Sequence, residues 1–247
     1  MTKSLKARIA AGETTIGGWL SIPSPIVADA LASLGFDWIA VDMEHGTMGV
    51  DAAAAAFIAC ERHGCAPLAR MPSADPYLAR RLLDAGAVGL VVPVVESAAA
   101  FQDFARHCVY PHAGGRRGVG LSRANQWGAH FQGYLDTFSP VLVPQIETAA
   151  GVAAAAALAA LPEVDALFLG PYDLSADLGR AGDFSTPAFV AAQKEVRAAC
   201  ARHGKAPGAH QVKPDLRELA TRLEEGFRFV AYGSDMIAMR HALEGFR

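Results

Sequence analysis

Short runs of β-type residues alternate with helical stretches along almost the whole chain, the pattern of parallel βαβ units. The runs are TTIGGWLS, DWIAVDME, APLARMP, AVGLVVPVV, PVLVPQIE, DALFLGPYD, KAPGAHQV and FRFVAYGS, each followed by a helical segment such as Pro25 to Leu34 or Thr186 to His203. Gly35, Gly64, Gly86, Gly204 and Gly226 stand where helices should end, one to a few residues before the next run. Eight such rounds in 247 residues predict an α/β fold, a single (β/α)8 TIM barrel spanning residues 1–247. A doubly wound open sheet is the alternative, but no G-x-G-x-x-G follows the first run. The rhythm breaks once, at YPHAGGRRGVGLSRANQWGAH, Tyr110 to His130, and a connection of that length is usually functional or disordered.

Composition narrows the function classes. At 52% apolar residues the chain can bury a sizeable core, and a net charge of −3 without a block of like charges argues against a nucleic-acid or anionic-membrane surface. The expected partners are small molecules or further copies of the same chain. Cys60, Cys65, Cys108 and Cys200 have neither metal-type spacing nor the density of a disulfide framework, which suits a reducing compartment. MTKSLKARIAAGE lacks an apolar signal core and AAGVAAAAALAALP is too short to span a bilayer, so the expectation is a cytoplasmic protein.

In a barrel, useful chemistry collects at the C-terminal ends of strands. Here DMEHG carries Asp42, Glu44 and His45, the third run ends at Arg70, VLVPQIETAA carries Gln145 and Glu147, and GPYDLS carries Asp173. Side chains alternate along a strand, so Gln145 and Glu147 point to one side. Glu147 and Asp173 end neighbouring strands, and two carboxylates that close together repel unless a proton or a cation lies between them. With no His or Cys beside them they suit a hard divalent ion such as Mg2+ or Mn2+ that keeps positions open for water and substrate. The alternative is a proton-sharing pair. Arg70 suits a carboxylate or a developing oxyanion, or else a salt bridge to Glu44 or Glu147. His45 has the right intrinsic basicity for a base, though a lone His is often structural. The amides of Gly170, Tyr172 and Asp173 could present donors to an anion. Among five lysines only Lys213 lies near the upper end of a run, and its polar Lys-Pro loop is a poor setting for a Schiff base.

Five segments, DWIAVDMEHG, ARMPSADPYLARRLLDAGAVGLVVPVVES, YPHAGGRRGVG, PQIETAAG and GPYDLSADLG, resemble in order and spacing the metal-dependent pyruvate aldolases of the HpcH/HpaI type. The similarity runs from about Gly17 to the C-terminus. It implies a modified TIM barrel and a lyase of the class II aldolases. Such an enzyme cleaves 4-hydroxy-2-oxo acids into an aldehyde and pyruvate, or an analogue such as hydroxypyruvate, with Mg2+, Mn2+ or Co2+ as cofactor. It further implies Glu147 and Asp173 as metal ligands, and Gln145, Gly170, Tyr172 and Asp173 as substrate contacts. Arg70 would stabilise the transition state, and His45 would be the base, its basicity raised by Asp84. Relatives often carry a small residue or Asn at the place of Tyr172, and GAHQVKPD puts His210 into a wall that would meet the aldehyde. The same pocket could decarboxylate oxaloacetate, cleave a CoA-linked acid, or belong to a non-catalytic metabolite-binding barrel.

Asp84 raises a geometric conflict. It lies near the C-terminal end of the helix DPYLARRLLDAG, towards the opposite barrel face from His45, and a helix of about twelve residues spans about 18 Å. Its implied role therefore predicts shared sites in an oligomer, with Arg123 or GVGLS walling a neighbour's pocket. The resemblance suggests a homohexamer and a C-terminal helix packed on a neighbouring subunit. The bland alternative is that Asp84 pairs with Arg80 or Arg81 at its own helix end.

Overall fold

The computed structural model describes residues 3–246, and among them eight parallel strands close into a barrel in chain order. The strands are β1 (Thr15–Leu20), β2 (Trp38–Asp42), β3 (Ala66–Arg70), β4 (Gly89–Val92), β5 (Val141–Ile146), β6 (Ala166–Leu169), β7 (Ala206–Gln211) and β8 (Phe229–Tyr232). All eight predicted runs contain a strand. Between and around them lie α1 (Leu5–Ala10), α2 (Pro25–Ala32), α3 (Val50–Arg62), α4 (Pro76–Ala85), α5 (Ala98–Arg106) and α6 (Phe131–Thr137). The second half adds α7 (Ala149–Ala159), α8 (Pro171–Asp177), α9 (Pro187–His203), α10 (Leu216–Glu224) and α11 (Asp235–Leu243). Gly86 and Gly204 cap α4 and α9 in the left-handed conformation that an L side chain resists.

Two apolar layers follow from strand alternation. One set, including Ile39, Val41, Leu90, Leu142 and Val230, packs outward under the helices, and the other, including Trp38, Leu68, Val143, Phe168 and Phe229, fills the barrel. Trp38 stacks on Phe229 with ring centroids 4.2 Å apart, and a Cβ at Gly17 would overlap the Trp38 ring. Leu5 and Ile9 of α1 join the inner layer. Lys6 to Asp165 and Arg8 to Asp37 tie α1 across the N-terminal mouth, where those aspartates precede β6 and β2. The barrel is thus plugged at one end and open to chemistry at the other.

The fourth strand is shorter than its sequence run. It stops at Val92 because Pro93 has no N–H for the ladder, and Val94 turns to φ +51°, a left-handed conformation rare for a β-branched residue. The long connection after α5 is ordered by polar anchors. Arg117, fully buried, donates from Nη2 to Asp84 Oδ1 at 2.6 Å and stacks over Tyr110 and Phe138. Arg123 donates to Glu61 and to the Ala85 carbonyl at the ends of α3 and α4. Short 3-10 turns at Pro111–Ala113 and Arg123–Gly128 punctuate the segment before α6. Among the described residues no helix is long and apolar enough to cross a membrane.

Candidate active site

Asp42 and Arg70 are register partners at the ends of β2 and β3. The guanidinium bonds the carboxylate twice, Nε to Oδ1 at 2.9 Å and Nη2 to Oδ2 at 2.5 Å, while Nη1 lies 2.8 Å from Glu44 Oε2. Asp42 also accepts from Trp19 Nε1 and from the amides of Glu44 and His45, so it organises the whole turn after β2. Burial pushes its pKa up, but the hydrogen bonds and charge of Arg70 outweigh burial and hold it below the usual carboxylate range. Glu44 shifts the other way, raised by burial against the pull of Arg70. Arg70 therefore pairs with Glu44, one of its two expected partners, and more tightly with Asp42.

Across the mouth, Gln145 and Glu147 share a side as the alternation requires: Gln145 Nε2 donates to Glu147 Oε2. The Val94 amide donates to Glu147 Oε1 at 2.6 Å, which gives the left-handed Val94 a purpose, since that turn aims its N–H at the carboxylate. Burial first, then the charges of Glu44 and Asp173, push the Glu147 pKa up to about 7, against the favourable bond from Val94. Gln145 Oε1 is buried without a hydrogen-bond partner. Gly170 makes the close approach possible, because a Cβ there would lie 2.6 Å from Glu147 Oε2 and 2.8 Å from Gln145 Nε2. Its amide, expected to be free for an anion, instead donates to the Ile146 carbonyl at 3.1 Å, because β6 is still pairing with β5 there. Tyr172 and Asp173 stand in the first turn of α8, where N–H groups lack intrahelical partners.

Between the two sides lies a cleft of about 480 Å³, lined among others by Asp42, His45, Arg70, Gln145, Gly170 and Asp173. That volume suits a small ligand. The His45 side chain is 64% exposed, with Nε2 4.0 Å from Glu44 Oε2. The Tyr172 ring, also exposed, stands edge-on to Phe184 at 5.2 Å. Asp84 is elsewhere, paired with Arg117 rather than with Arg80 or Arg81. Arg123 is held against its own α3 and α4. A larger hollow of about 1030 Å³ lies at the N-terminal mouth, but its charged groups Lys6 and Arg8 are already paired within the chain. Glu147 and Asp173 are the carboxylates that could hold a divalent cation. The raised proton affinity of Glu147, due first to burial, and the buried, unpartnered acceptor Gln145 Oε1 both suit a cation or a hydrogen donor at this place. Among the described residues no group of three or more His, Cys, Asp or Glu is arranged to hold an ion, so other coordination positions would fall to water or substrate.

A model of the HpcH/HpaI aldolase/citrate lyase family matches residues 15–242. The chain belongs to that family. A hydroxypyruvate/pyruvate aldolase of Paraburkholderia phytofirmans is 36% identical over all of this chain and 98% of its own length. A 4-hydroxy-2-oxovalerate aldolase of Novosphingobium aromaticivorans is also 36% identical, over 94% of this chain and 88% of its own. Among solved structures, an HpcH/HpaI aldolase/citrate lyase family protein from Burkholderia cenocepacia superposes with a TM-score of 0.91 at 34% identity, covering 98% of this chain and 96% of that one.

Three parts of this HpcH/HpaI site escaped sequence reasoning. The pairing of Asp42 with Arg70 is one of them: Asp42 stands among the strand-end candidates, but only the register of β2 on β3 sets it opposite Arg70. Trp19 was hidden inside an apolar run, and its Nε1 bond to Asp42 at 3.1 Å is purely tertiary. Val94 read as strand, and only Pro93 hinted that the ladder ends before it.

Proposed function

We propose that this HpcH/HpaI family aldolase is divalent-metal-dependent and reversibly cleaves 4-hydroxy-2-oxo acids into pyruvate, or hydroxypyruvate, and an aldehyde. The observation that carries the reading is geometric: Gln145 and Glu147 meet at the end of β5 close to Asp173, across the mouth from the Asp42–Arg70 fork, and burial first, then the charges of Glu44 and Asp173, raise the proton affinity of Glu147. Glu147 and Asp173 would hold the divalent cation, which when bound would supply Lewis-acid stabilisation of developing negative charge worth several kcal/mol. Arg70, kept rigid by Asp42, offers its charge to the oxygen that is keto in one direction and enolate in the other. Gln145 and the Tyr172 amide orient the 2-oxo acid. His45, open to the cleft, moves the proton of the aldol hydroxyl, a contribution of about 10²- to 10⁴-fold.

The relatives' names as pyruvate and hydroxypyruvate aldolases support this chemistry. The proposal includes a homohexamer in which Asp84 of one subunit serves His45 of another. Two features support it: the place of Asp84 near the C-terminal end of α4, bonded to Arg117 and outside the lining of its own cleft, and α11, which buries none of its residues and exposes Met236, Met239 and Leu243 for packing on a neighbour. The test is turnover of a 4-hydroxy-2-oxo acid, with released pyruvate coupled to lactate dehydrogenase. EDTA should abolish turnover and Mg2+, Mn2+ or Co2+ should restore it. Activity that survives chelation but is lost to borohydride with pyruvate would mean a Schiff base and overturn the proposal.

A further inference from the structure

His210 is the one imidazole in the cleft wall that the proposed chemistry leaves unused. It sits near the end of β7, its ring 4.4 Å from that of Trp19 and 6.5 Å from that of Phe168. Trp19 in turn carries the Arg70 guanidinium over its ring at 4.9 Å, so His210 stands one side chain away from the group placed at the reacting oxygens. Its Nε2 lies 3.2 Å from the Gly233 carbonyl. A carbonyl only accepts, so Nε2 carries the hydrogen, and Nδ1 of the neutral ring must be the lone-pair nitrogen. The ring stays neutral at physiological pH, since burial, and secondarily the Arg70 charge, push its pKa down to about 4, with the Gly233 carbonyl and Asp42 acting in the opposite direction.

Nδ1 accepts no hydrogen bond from any described residue and is not among the sealed, unpartnered polar atoms, and the ring forms part of the wall both of the cleft and of a smaller hollow of about 250 Å³ beside it. Both Asp42 oxygens are held by Arg70 and Ser234 Oγ takes the amide of Ile237 at the start of α11, while the unpartnered Gln145 Oε1 belongs to β5. A neutral acceptor in an otherwise aromatic wall recognises a hydrogen donor without charge.

We propose that His210 is a specificity-determining residue which accepts, at Nδ1, the hydrogen of a substrate hydroxyl on a carbon next to the reacting carbons. The inference rests on the aldolase reading above and goes beyond it by naming the substrate class, hydroxylated rather than deoxy compounds. The hydroxyl has two chemical sources, the hydroxymethyl group of hydroxypyruvate or an α-hydroxyl on the aldehyde.

The experiment measures kcat/KM for pyruvate or hydroxypyruvate combined with acetaldehyde or glycolaldehyde. The proteins are wild type, His210→Phe, which keeps a ring but loses the acceptor, and His210→Asn, which keeps a carbonyl oxygen near the Nδ1 position. The readout is the hydroxylated-over-deoxy ratio. His210→Phe should lower it roughly five- to tenfold in one arm, as expected for loss of one neutral hydrogen bond, and His210→Asn should retain most of it. The arm that falls identifies the source of the hydroxyl. Unchanged ratios in both arms, including a uniform drop across all four combinations, overturn the proposal. Calorimetric binding of hydroxypyruvate and pyruvate reads the donor arm without turnover. Selective binding without any aldol product would condemn the aldolase reading while leaving His210 its role.

Discussion

Asp42 grips Arg70 through two hydrogen bonds at the ends of adjacent strands, a fork that fixes the guanidinium plane beside the mouth of the barrel. Both side chains are nearly buried, so the pair costs desolvation and rewards only intact geometry. Asp42→Ala leaves a buried, half-paired arginine and should lose about 3–5 kcal/mol of stability. Asp42→Asn should keep more stability but still lower kcat/KM by roughly 10²-fold, because the fork can no longer match two donors with two acceptors. Urea denaturation and steady-state kinetics on both variants check this; an Asp42→Asn enzyme with near wild-type kcat/KM would mean that Arg70 needs no such support.

Gly170 is predicted to control the carboxylate site by its lack of a side chain. In Gly170→Ala the added methyl would stand 2.6 Å from Glu147 Oε2, forcing that oxygen or the turn after β6 to move. Affinity for Mn2+ should fall about 10- to 100-fold, as for losses of supporting contacts at other metal sites, with the far-ultraviolet circular dichroism unchanged. Calorimetric titration reads the affinity, and wild-type binding by the variant would place the ion elsewhere.

The pH dependence of the metal-free protein follows from Glu147. Its folded pKa of about 7 lies above the ordinary 4.5, so the fold favours the protonated form. The stability it contributes is full below about pH 4.5 and is lost as pH rises through about 7. Glu147→Gln, which cannot ionise, should therefore gain on wild type at pH 8 relative to pH 5 in EDTA-treated protein. Thermal denaturation at the two pH values measures the difference, and a variant whose offset from wild type is the same at both would contradict the shift.

His45 and Glu147 should separate base from ligand. His45→Ala should cut aldol cleavage by about 10²-fold or more with near wild-type metal affinity, whereas Glu147→Ala should lose the metal itself. Equal loss of metal in both would make His45 a ligand.

Shared sites predict complementation. Inactive His45→Ala and Asp84→Ala subunits, mixed and allowed to exchange, should regain part of the wild-type rate, because some hybrid sites combine an intact His45 with an intact Asp84. Hybrids that stay dead after mass spectrometry has shown exchange would leave Asp84 the narrower task of anchoring Arg117, to which it is bonded at 2.6 Å.

The barrel was legible in the chain because βαβ periodicity, glycine stops and an unbroken count of eight are local patterns, repeated until few closures remain. Gln145 and Glu147 could likewise be placed on one side from strand alternation alone, and their side chains do meet. What only the tertiary structure decided were relations between residues far apart in sequence. The partner of Arg70 is Asp42 by strand register, Val94 abandons its strand to aim an amide at Glu147, and Gly170 spends its own amide on β5. His210 becomes a neutral acceptor only because folding buries it against Trp19 and gives Nε2 to the Gly233 carbonyl. Periodicity is a property of neighbours along the chain, whereas protonation and hydrogen-bond pairing depend on burial and on distances of a few ångströms, which exist only once the barrel has closed.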